Sequence, residues 1–122
     1  MSQVRPDAPL APEPAMIDGI FRALADPTRR DVLERLGERP TATSELASRY
    51  PMALPSFLEH LKILESCGLV HSRKVGRVRT YSLAPDRLRL AEDWLGTQRR
   101  LWESRLDRMD AYLLKLKKEK SE

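Results

Sequence analysis

The spacing of apolar residues along this chain changes in one segment from a helical to a strand-like period. This change limits the folds that the chain can adopt. Residues 69–75 and 78–83 are two β-like runs around Gly76, which predicts two strands joined as a β-hairpin. On both sides of this segment, apolar residues recur at three- and four-residue intervals, as they do along amphipathic helices. The sequence therefore predicts a mainly α-helical chain with a β-hairpin, an α+β fold.

Two short helices are predicted near the start of the chain. The first covers residues 16–24, and its apolar face consists of Ile17, Ile20, Phe21 and Leu24. The second runs from residue 27 to about residue 36. Asp26 is a good N-cap and Pro27 suits the first helical position, where no N–H is needed. Gly37 is expected to end this helix.

Two further helices are predicted before the hairpin. The third lies within residues 41–50, and its start is open because Ala42 stands where a capping box has Ser or Thr. The fourth runs from Pro55 to about Ser66, followed by Gly68 as the expected C-cap. Its apolar ridge consists of Phe57, Leu61 and Leu64.

The remainder of the chain, about residues 86–118, is one long helical pattern. Its apolar residues are spaced almost as in heptads, with one four-residue step from Trp102 to Leu106. At 1.5 Å per residue such a helix extends about 50 Å, which is more than a small domain can cover by itself. A second copy of the chain is the expected cover.

Charge and length narrow the class of protein. A chain of 122 residues is the size of one domain, and its net charge of +4 favours a polyanionic partner. Residues 69–82 contain no acidic residue and four cations, Arg73, Lys74, Arg77 and Arg79.

Residues 1–14 are rich in proline, so we expect a disordered arm there. A folded domain is expected at 15–84 and a dimerisation helix with a basic tail at 85–122.

Several other classes are excluded at this level. The one cysteine, Cys67, allows neither an intramolecular disulfide nor a CxxC motif. No apolar run is long enough to predict a membrane span, and the first residues lack a signal-peptide pattern, so a cytoplasmic protein is expected. There is no nucleophile elbow, Gly-rich phosphate loop or HExxH motif. We therefore predict no enzyme and no cofactor.

The order of the predicted elements indicates a winged helix-turn-helix domain. The third and fourth helices, joined across residues 50–54, would present the fourth to the major groove of double-stranded DNA. The hairpin follows directly and would lie beside that helix as a wing, residues 70–83. Its cations would then reach phosphates or the adjacent minor groove.

Short motifs along the chain resemble the ArsR/SmtB family of winged-helix repressors. They are residues 24–30 (Leu-Ala-Asp-Pro-Thr-Arg-Arg), Val32-Leu33, Glu45-Leu46-Ala47, residues 60–65 (His-Leu-Lys-Ile-Leu-Glu), Gly68-Leu69-Val70, Gly76-Arg77 and Tyr81. The resemblance covers about residues 21–116. It implies a homodimer that pairs through its first and last helices, binds an inverted-repeat operator and represses transcription. The residues then expected at the dimer interface are Ile17, Ile20, Phe21, Trp94, Leu95, Trp102, Met109 and Leu113.

The chain departs from the metal-sensing members of that family. Such members carry cysteines on the third helix, where residues 43–48 here have none, or histidines and carboxylates on the last helix. The last helix has Asp107 and Asp110 but no histidine, so metal sensing is not carried over. The fourth helix has Leu54, Phe57 and Leu58 where small polar residues are common, so the operator sequence does not follow from the resemblance.

The predicted DNA contacts lie on the third helix, on helix 55–66 and on the wing. They are Thr43, Ser44, Pro55, Ser56, Glu59, His60, Lys62, Arg73, Lys74, Arg77 and Arg79. For His60 a half-buried structural role is equally open, and Cys67 is expected to pack as a small hydrophobe. Two alternatives stay open: a winged-helix module that binds a protein, and a metal- or redox-responsive sensor, in which His60 and His71 would serve the metal. The sequence does not indicate an effector.

Overall fold

The structure of the chain is a computed structural model, and it describes residues 13–120. The predicted arm at 1–14 falls outside this range, except that Glu13 and Pro14 belong to the first helix. The helices are α1 (Glu13–Leu24), α2 (Pro27–Glu38), α3 (Thr43–Ala47), α4 (Leu54–Ser66) and α5 (Leu88–Lys120). The strands are β1 (Thr41–Ala42), β2 (Val70–Val75) and β3 (Val78–Leu83), in the sheet order β1-β3-β2.

The N-terminus of α2 forms as its sequence predicts. Oδ2 of Asp26 accepts a hydrogen bond of 3.1 Å from the backbone N–H of Arg29, and Pro27 occupies the first turn. The predicted end of α2 at Gly37 is wrong. The helix continues to Glu38 and closes on Arg39 in an extended conformation, so it needs no left-handed residue.

The third helix lies within the predicted residues 41–50 but is shorter than that span. Thr41 and Ala42 form β1, which pairs antiparallel with Tyr81 and Thr80 of β3, and α3 is confined to Thr43–Ala47. A two-residue strand has no detectable period, and here the pairing with a distant strand fixes the backbone. The predicted inward residue Leu46 is fully buried.

The hairpin and α4 confirm the prediction. Val75 pairs with Val78 across a two-residue turn that begins at Gly76, whose φ is +62°. All three residues of the α4 ridge, Phe57, Leu61 and Leu64, are fully buried. Gly68 follows the helix with φ +80°, the left-handed conformation that glycine adopts without steric cost.

The core combines residues from all five helices and from the hairpin. Its members include Ile20, Val32, Leu46, Phe57, Leu61, Leu64, Val70, Tyr81 and Ala91. Ile17 and Ile20 are buried within the single chain, at 8% and 0% exposure, and their place at a dimer interface stays a prediction. The inward face of α1 is needed for the chain's own core. Phe21 is half-buried against that core.

The chain divides into two compact units between Ala91 and Glu92, within α5. The start of α5 belongs to the first unit, where Ala91 is buried. From residue 92 to residue 120 no described residue is buried. This segment exposes many large apolar side chains, including Trp94, Leu95, Trp102, Leu106, Met109 and Leu113. Among the described helices, none is long and apolar enough to cross a membrane.

Candidate nucleic-acid interface

The first residues of α3 and α4 adjoin the tip of the hairpin around a shallow groove of about 290 Å³. Its lining consists of Ala42, Thr43, Ser44, Leu54, Leu58, Arg77, Val78 and Arg79. The structure thus brings four of the predicted contact residues to one surface: Thr43, Ser44, Arg77 and Arg79. The exposed apolar side chains of Leu54 and Leu58 lie among them.

A side-chain hydrogen bond fixes α3 against the hairpin. The hydroxyl of Thr43 donates to the carbonyl oxygen of Arg79 at 3.0 Å. Ser44, the next residue, is exposed. The first turn of α3 and strand β3 are therefore held together, and a molecule bound by one of them meets the other.

The cations of the hairpin lie on both faces of the ribbon. Lys74 is directly opposite Arg79, Arg73 is opposite Thr80, and Arg77 lies in the turn. All four cations are exposed. Like charges at directly opposite positions of an antiparallel pair destabilise it. An anionic partner would relieve this repulsion between Lys74 and Arg79.

Arg79 is part of a chain of hydrogen bonds that reaches α4. Its Nη1 donates to the hydroxyl of Ser72 at 2.8 Å, and that hydroxyl donates to Oε2 of Glu65 at 2.8 Å. Ser72 and Glu65 were not predicted as site residues. The spacing of seven residues between each pair gave no local signal, because the contacts depend on the strand register.

The exposed side of α4 carries three of its predicted contacts. Ser56, Glu59 and Lys62 are spaced by three residues, so they follow one another along one side of the helix, and all are exposed. Pro55, also exposed, lies in the first turn next to this stripe. Together they offer a hydroxyl, a carboxylate and an ammonium group to a bound molecule.

His60 does not belong to this exposed stripe. Its side chain is 20% exposed, and Nδ1 lies 3.0 Å from Nη1 of Arg29 and 3.8 Å from Oδ2 of Asp26. These contacts support the structural alternative for His60, and its contact with a base stays a prediction. Arg29 was not predicted to have this role, although the motif of residues 24–30 that contains it was noted.

Tyr50 positions the turn between α3 and α4. Its hydroxyl donates to Oδ2 of Asp31 at 2.6 Å, and its ring stacks on Phe57 with 5.1 Å between centroids. Burial of the ring and the hydrogen bond to Asp31 raise the pKa of Tyr50 to about 12. The hydrogen bonds from Tyr50 and Arg35 lower the pKa of Asp31. The turn is thus anchored to both α2 and α4.

Within the described part of the chain, no three side chains of His, Cys, Asp or Glu converge in a way that would hold a metal ion. Cys67 is half-buried, and its thiol lies 3.4 Å from the carbonyl oxygen of Leu64. Burial raises the pKa of this thiol. Cys67 packs as the small hydrophobe that was predicted.

A short helix, a turn, a second helix and a β-hairpin beside them define a winged helix-turn-helix protein. A helix-turn-helix domain family matches residues 24–73. A crystal structure of an ArsR family transcriptional regulator is 48% identical, with a TM-score of 0.73, and the match covers 78% of this chain and 98% of that one. The chain belongs to the ArsR family of transcriptional regulators.

Two further relatives are characterised as regulators. The HTH-type transcriptional regulator Rv2034 of Mycobacterium tuberculosis is 44% identical over 68 residues, which are 56% of this chain and 64% of that protein. The match therefore spans less than two thirds of that relative. The transcriptional repressor SdpR of Bacillus subtilis is 28% identical over 79 residues, which are 65% of this chain and 88% of that protein.

A solution structure of a homodimeric winged helix-turn-helix DNA-binding domain, Mb0332 from Mycobacterium bovis, has a similar fold. It is 25% identical to this chain, with a TM-score of 0.56, and the match covers 71% of this chain and 82% of that one.

Proposed function

We propose that the protein is a cytoplasmic, homodimeric repressor that binds an inverted-repeat operator in double-stranded DNA. The proposal rests on the position of the hairpin cations. Lys74 and Arg79 lie directly opposite each other, residues 69–82 contain no carboxylate, and Arg79 lines one groove with Leu54 and Leu58 of α4. Phosphate groups of DNA are the partner that neutralises such a surface. The proposal involves no catalytic step.

In this proposal α4 enters the major groove, and the hairpin contacts the flanking backbone. Ser56 and Glu59 would reach base edges, where the carboxylate of Glu59 can accept from the amino group of cytosine. Lys62 would contact a phosphate. Ser44 at the start of α3 would contact the backbone on the other side of the groove lined by Leu54 and Leu58.

The dimer is proposed from α5 and from the homodimeric relative. Residues 92–120 bury nothing within one chain, yet Leu95, Trp102, Met109 and Leu113 recur along one side of the helix. Pairing this side with a second copy would remove it from water. Two-fold symmetry would then place the two α4 helices in successive major grooves, roughly 34–36 Å apart. Occupation of a promoter by this dimer would block transcription.

Selection of bound sequences from a random duplex pool tests this function. A palindromic consensus is expected, with half-sites one helical turn apart. If each subunit neutralises about four phosphates, the logarithm of the affinity should fall with the logarithm of salt concentration with a slope of about −7. A protein that stays monomeric and selects no sequence at low salt would contradict the proposal.

A second candidate function is the binding of a protein partner, because Leu54 and Leu58 are 53% and 40% exposed beside the hairpin. The double variant Arg77→Ala, Arg79→Ala separates the two functions. Loss of affinity for random duplex DNA favours the repressor. Absence of duplex binding by the parent protein favours the protein partner.

A further inference from the structure

We propose that a cleft between α1, the start of α2 and the end of α4 binds a small organic anion, a carboxylate with an apolar body. The cleft has a volume of about 500 Å³, within the range of about 300–1,000 Å³ that is typical of small-molecule sites. None of the described residues that line it also lines the groove beside the hairpin. It is therefore a separate site.

Three arginine residues line the cleft: Arg22, Arg29 and Arg87. None of the described lining residues carries a carboxylate. Arg29 is already engaged, since it donates to carbonyl oxygens and to His60. Among the described residues, no hydrogen-bond or ion-pair partner is found for the side chains of Arg22 and Arg87. Two arginines that line one cavity and have no described partner for their guanidinium groups suit a carboxylate, which can accept hydrogen bonds from both.

The rest of the lining is mostly apolar and includes Met16, Gly19, Ile63 and Cys67. Such walls favour an anion with a hydrophobic body over a bare inorganic ion. Burial raises the pKa of the Cys67 thiol, while the positive charges of Arg29 and Arg87 act in the opposite direction. The thiol therefore stays neutral at physiological pH and does not cancel the positive charge of the cleft.

Gly68 leaves the space that the side chain of Arg87 occupies. A Cβ atom on Gly68 would stand 2.6 Å from Cγ of Arg87, closer than two carbon atoms can approach. The stem of Arg87 thus lies directly over the turn that ends α4. A side chain at position 68 would therefore force Arg87 to shift, independently of the positive φ at the same position.

Arg29 connects the cleft with α4. Its Nη1 lies 3.0 Å from Nδ1 of His60 on α4, and its Nε donates to the carbonyl oxygen of Ala23 on α1 at 2.8 Å. An anion in the cleft would compete with His60 and Ala23 for the guanidinium group of Arg29. It would thereby weaken the contact between Arg29 and His60. Because coupling between two sites is reciprocal, the anion and DNA would then change each other's affinity. This last step rests on the proposed function, whereas the binding of the anion does not.

The first experiment measures binding without DNA. The ¹⁵N-labelled full chain is titrated with phenylacetate and, as a matched neutral control, with phenylacetamide. Phenylacetate should shift the amide resonances of Gly19, Ser66 and Cys67 in a saturable way, and phenylacetamide should bind about tenfold more weakly or not at all. Equal binding of the two compounds, or shifts confined to the hairpin, would overturn the proposal.

Variants locate the site. The double variant Arg22→Gln, Arg87→Gln should weaken phenylacetate binding by about tenfold or more, whereas Arg89→Gln removes an exposed charge outside the lining and should change nothing. Gly19→Leu keeps every charge and fills the cleft, so it should also abolish binding. Unchanged affinity in the double variant or in a folded Gly19→Leu protein would overturn the site.

The second experiment measures DNA affinity with and without phenylacetate. The parent protein should show a several-fold change and the Arg22→Gln, Arg87→Gln variant none. Binding of phenylacetate without any change in DNA affinity would overturn the coupling. A complete lack of DNA binding would contradict the proposed function instead, and the titration without DNA would still decide whether the cleft takes an anion.

Discussion

Nη1 of Arg29 lies 3.0 Å from Nδ1 of His60, across 31 positions of sequence. The same guanidinium group donates to the carbonyl oxygens of Ala23 at 2.8 Å and Arg22 at 3.1 Å. One side chain of α2 therefore ties together the end of α1 and the middle of α4. This arrangement explains why His60, although it lies on the proposed reading helix, faces the protein.

Replacement of Arg29 should destabilise the fold. Arg29→Ala removes three hydrogen bonds from a charged, half-buried group, so we expect the free energy of unfolding to fall by about 2–3 kcal/mol in urea denaturation. Arg29→Lys should recover only part, because an ammonium group cannot reach all three acceptors. Arg89→Ala removes an exposed cation and serves as the control. Equal stability of Arg29→Ala and Arg89→Ala would contradict the bridging role.

The phenol group of Tyr50 should ionise at a higher pH than that of an ordinary tyrosine. Its pKa is about 12 against a usual value of 10.0, since burial and the hydrogen bond to Asp31 both raise it. A group whose pKa is raised by folding contributes stability that is complete below pH 10 and is lost as the pH rises towards about 12. Difference titrations of phenolate absorbance between the parent and Tyr50→Phe measure this. Asp31→Asn should bring the transition to lower pH, and a Tyr50 transition already at its usual value would refute the contact.

The turn residue Arg77 should contribute to DNA affinity mainly through charge. Arg77→Ala should weaken binding to all sequences alike, and the salt slope of a dimer should become shallower by about 2, one phosphate contact for each subunit. Arg89→Ala, which lies outside the hairpin, should leave the slope unchanged. Fluorescence anisotropy at several salt concentrations gives both values. A sequence-dependent loss with the slope intact would mean that Arg77 reads bases.

Substitution on the apolar side of α5 should separate the subunits. Met109→Glu places a carboxylate among Leu106 and Leu113, so sedimentation velocity should show a shift from dimer to monomer. Ser104→Glu introduces the same charge on the opposite side of the helix and should leave the dimer intact. If both variants remained dimeric, this side of α5 would not be the interface.

Gly68 and Gly76 should differ in their tolerance of alanine. Both have positive φ, so each substitution should cost about 1–2 kcal/mol of unfolding free energy for the backbone alone. At Gly76 nothing lies within 4 Å of an added Cβ, whereas at Gly68 the added atom meets Arg87. Gly68→Ala should therefore cost more, and Arg87→Ala in the same chain should recover the difference. Equal losses at the two glycines would show that Arg87 moves away freely.

The sequence was sufficient where a periodic pattern or a local cap determines the structure. The ridge Phe57, Leu61 and Leu64, the cap at Asp26 and the turn at Gly76 all depend on neighbours within one element. Strand β1 was missed because its conformation is fixed by Tyr81, forty residues after Thr41. Sequence spacing also cannot distinguish an apolar face that covers the chain's own core from one that covers a partner. Ile17 and Ile20 are such a case, since both are buried in the single chain while their pairing with a partner stays a prediction.

Part of the candidate site was predictable and part was not. The cluster of hairpin cations follows from composition, since charged residues at a turn stay in water. Hydrogen bonds between distant elements, such as those joining Arg79 to Ser72 and Ser72 to Glu65, appear only when the register is known. His60 is the clearest case, because its helical position indicates exposure and its partners Arg29 and Asp26 lie on another element.

The exposed part of α5 between residues 92 and 120 makes the amount of dimer depend on the cellular concentration of the chain. If the subunits associate only through surfaces that a lone chain leaves in water, the amount of active regulator follows mass action. Below the dissociation constant, the number of dimers rises with the square of the number of chains. A cell that doubled its supply of this protein would then raise operator occupancy by more than twofold, a steeper response than a monomeric regulator would give.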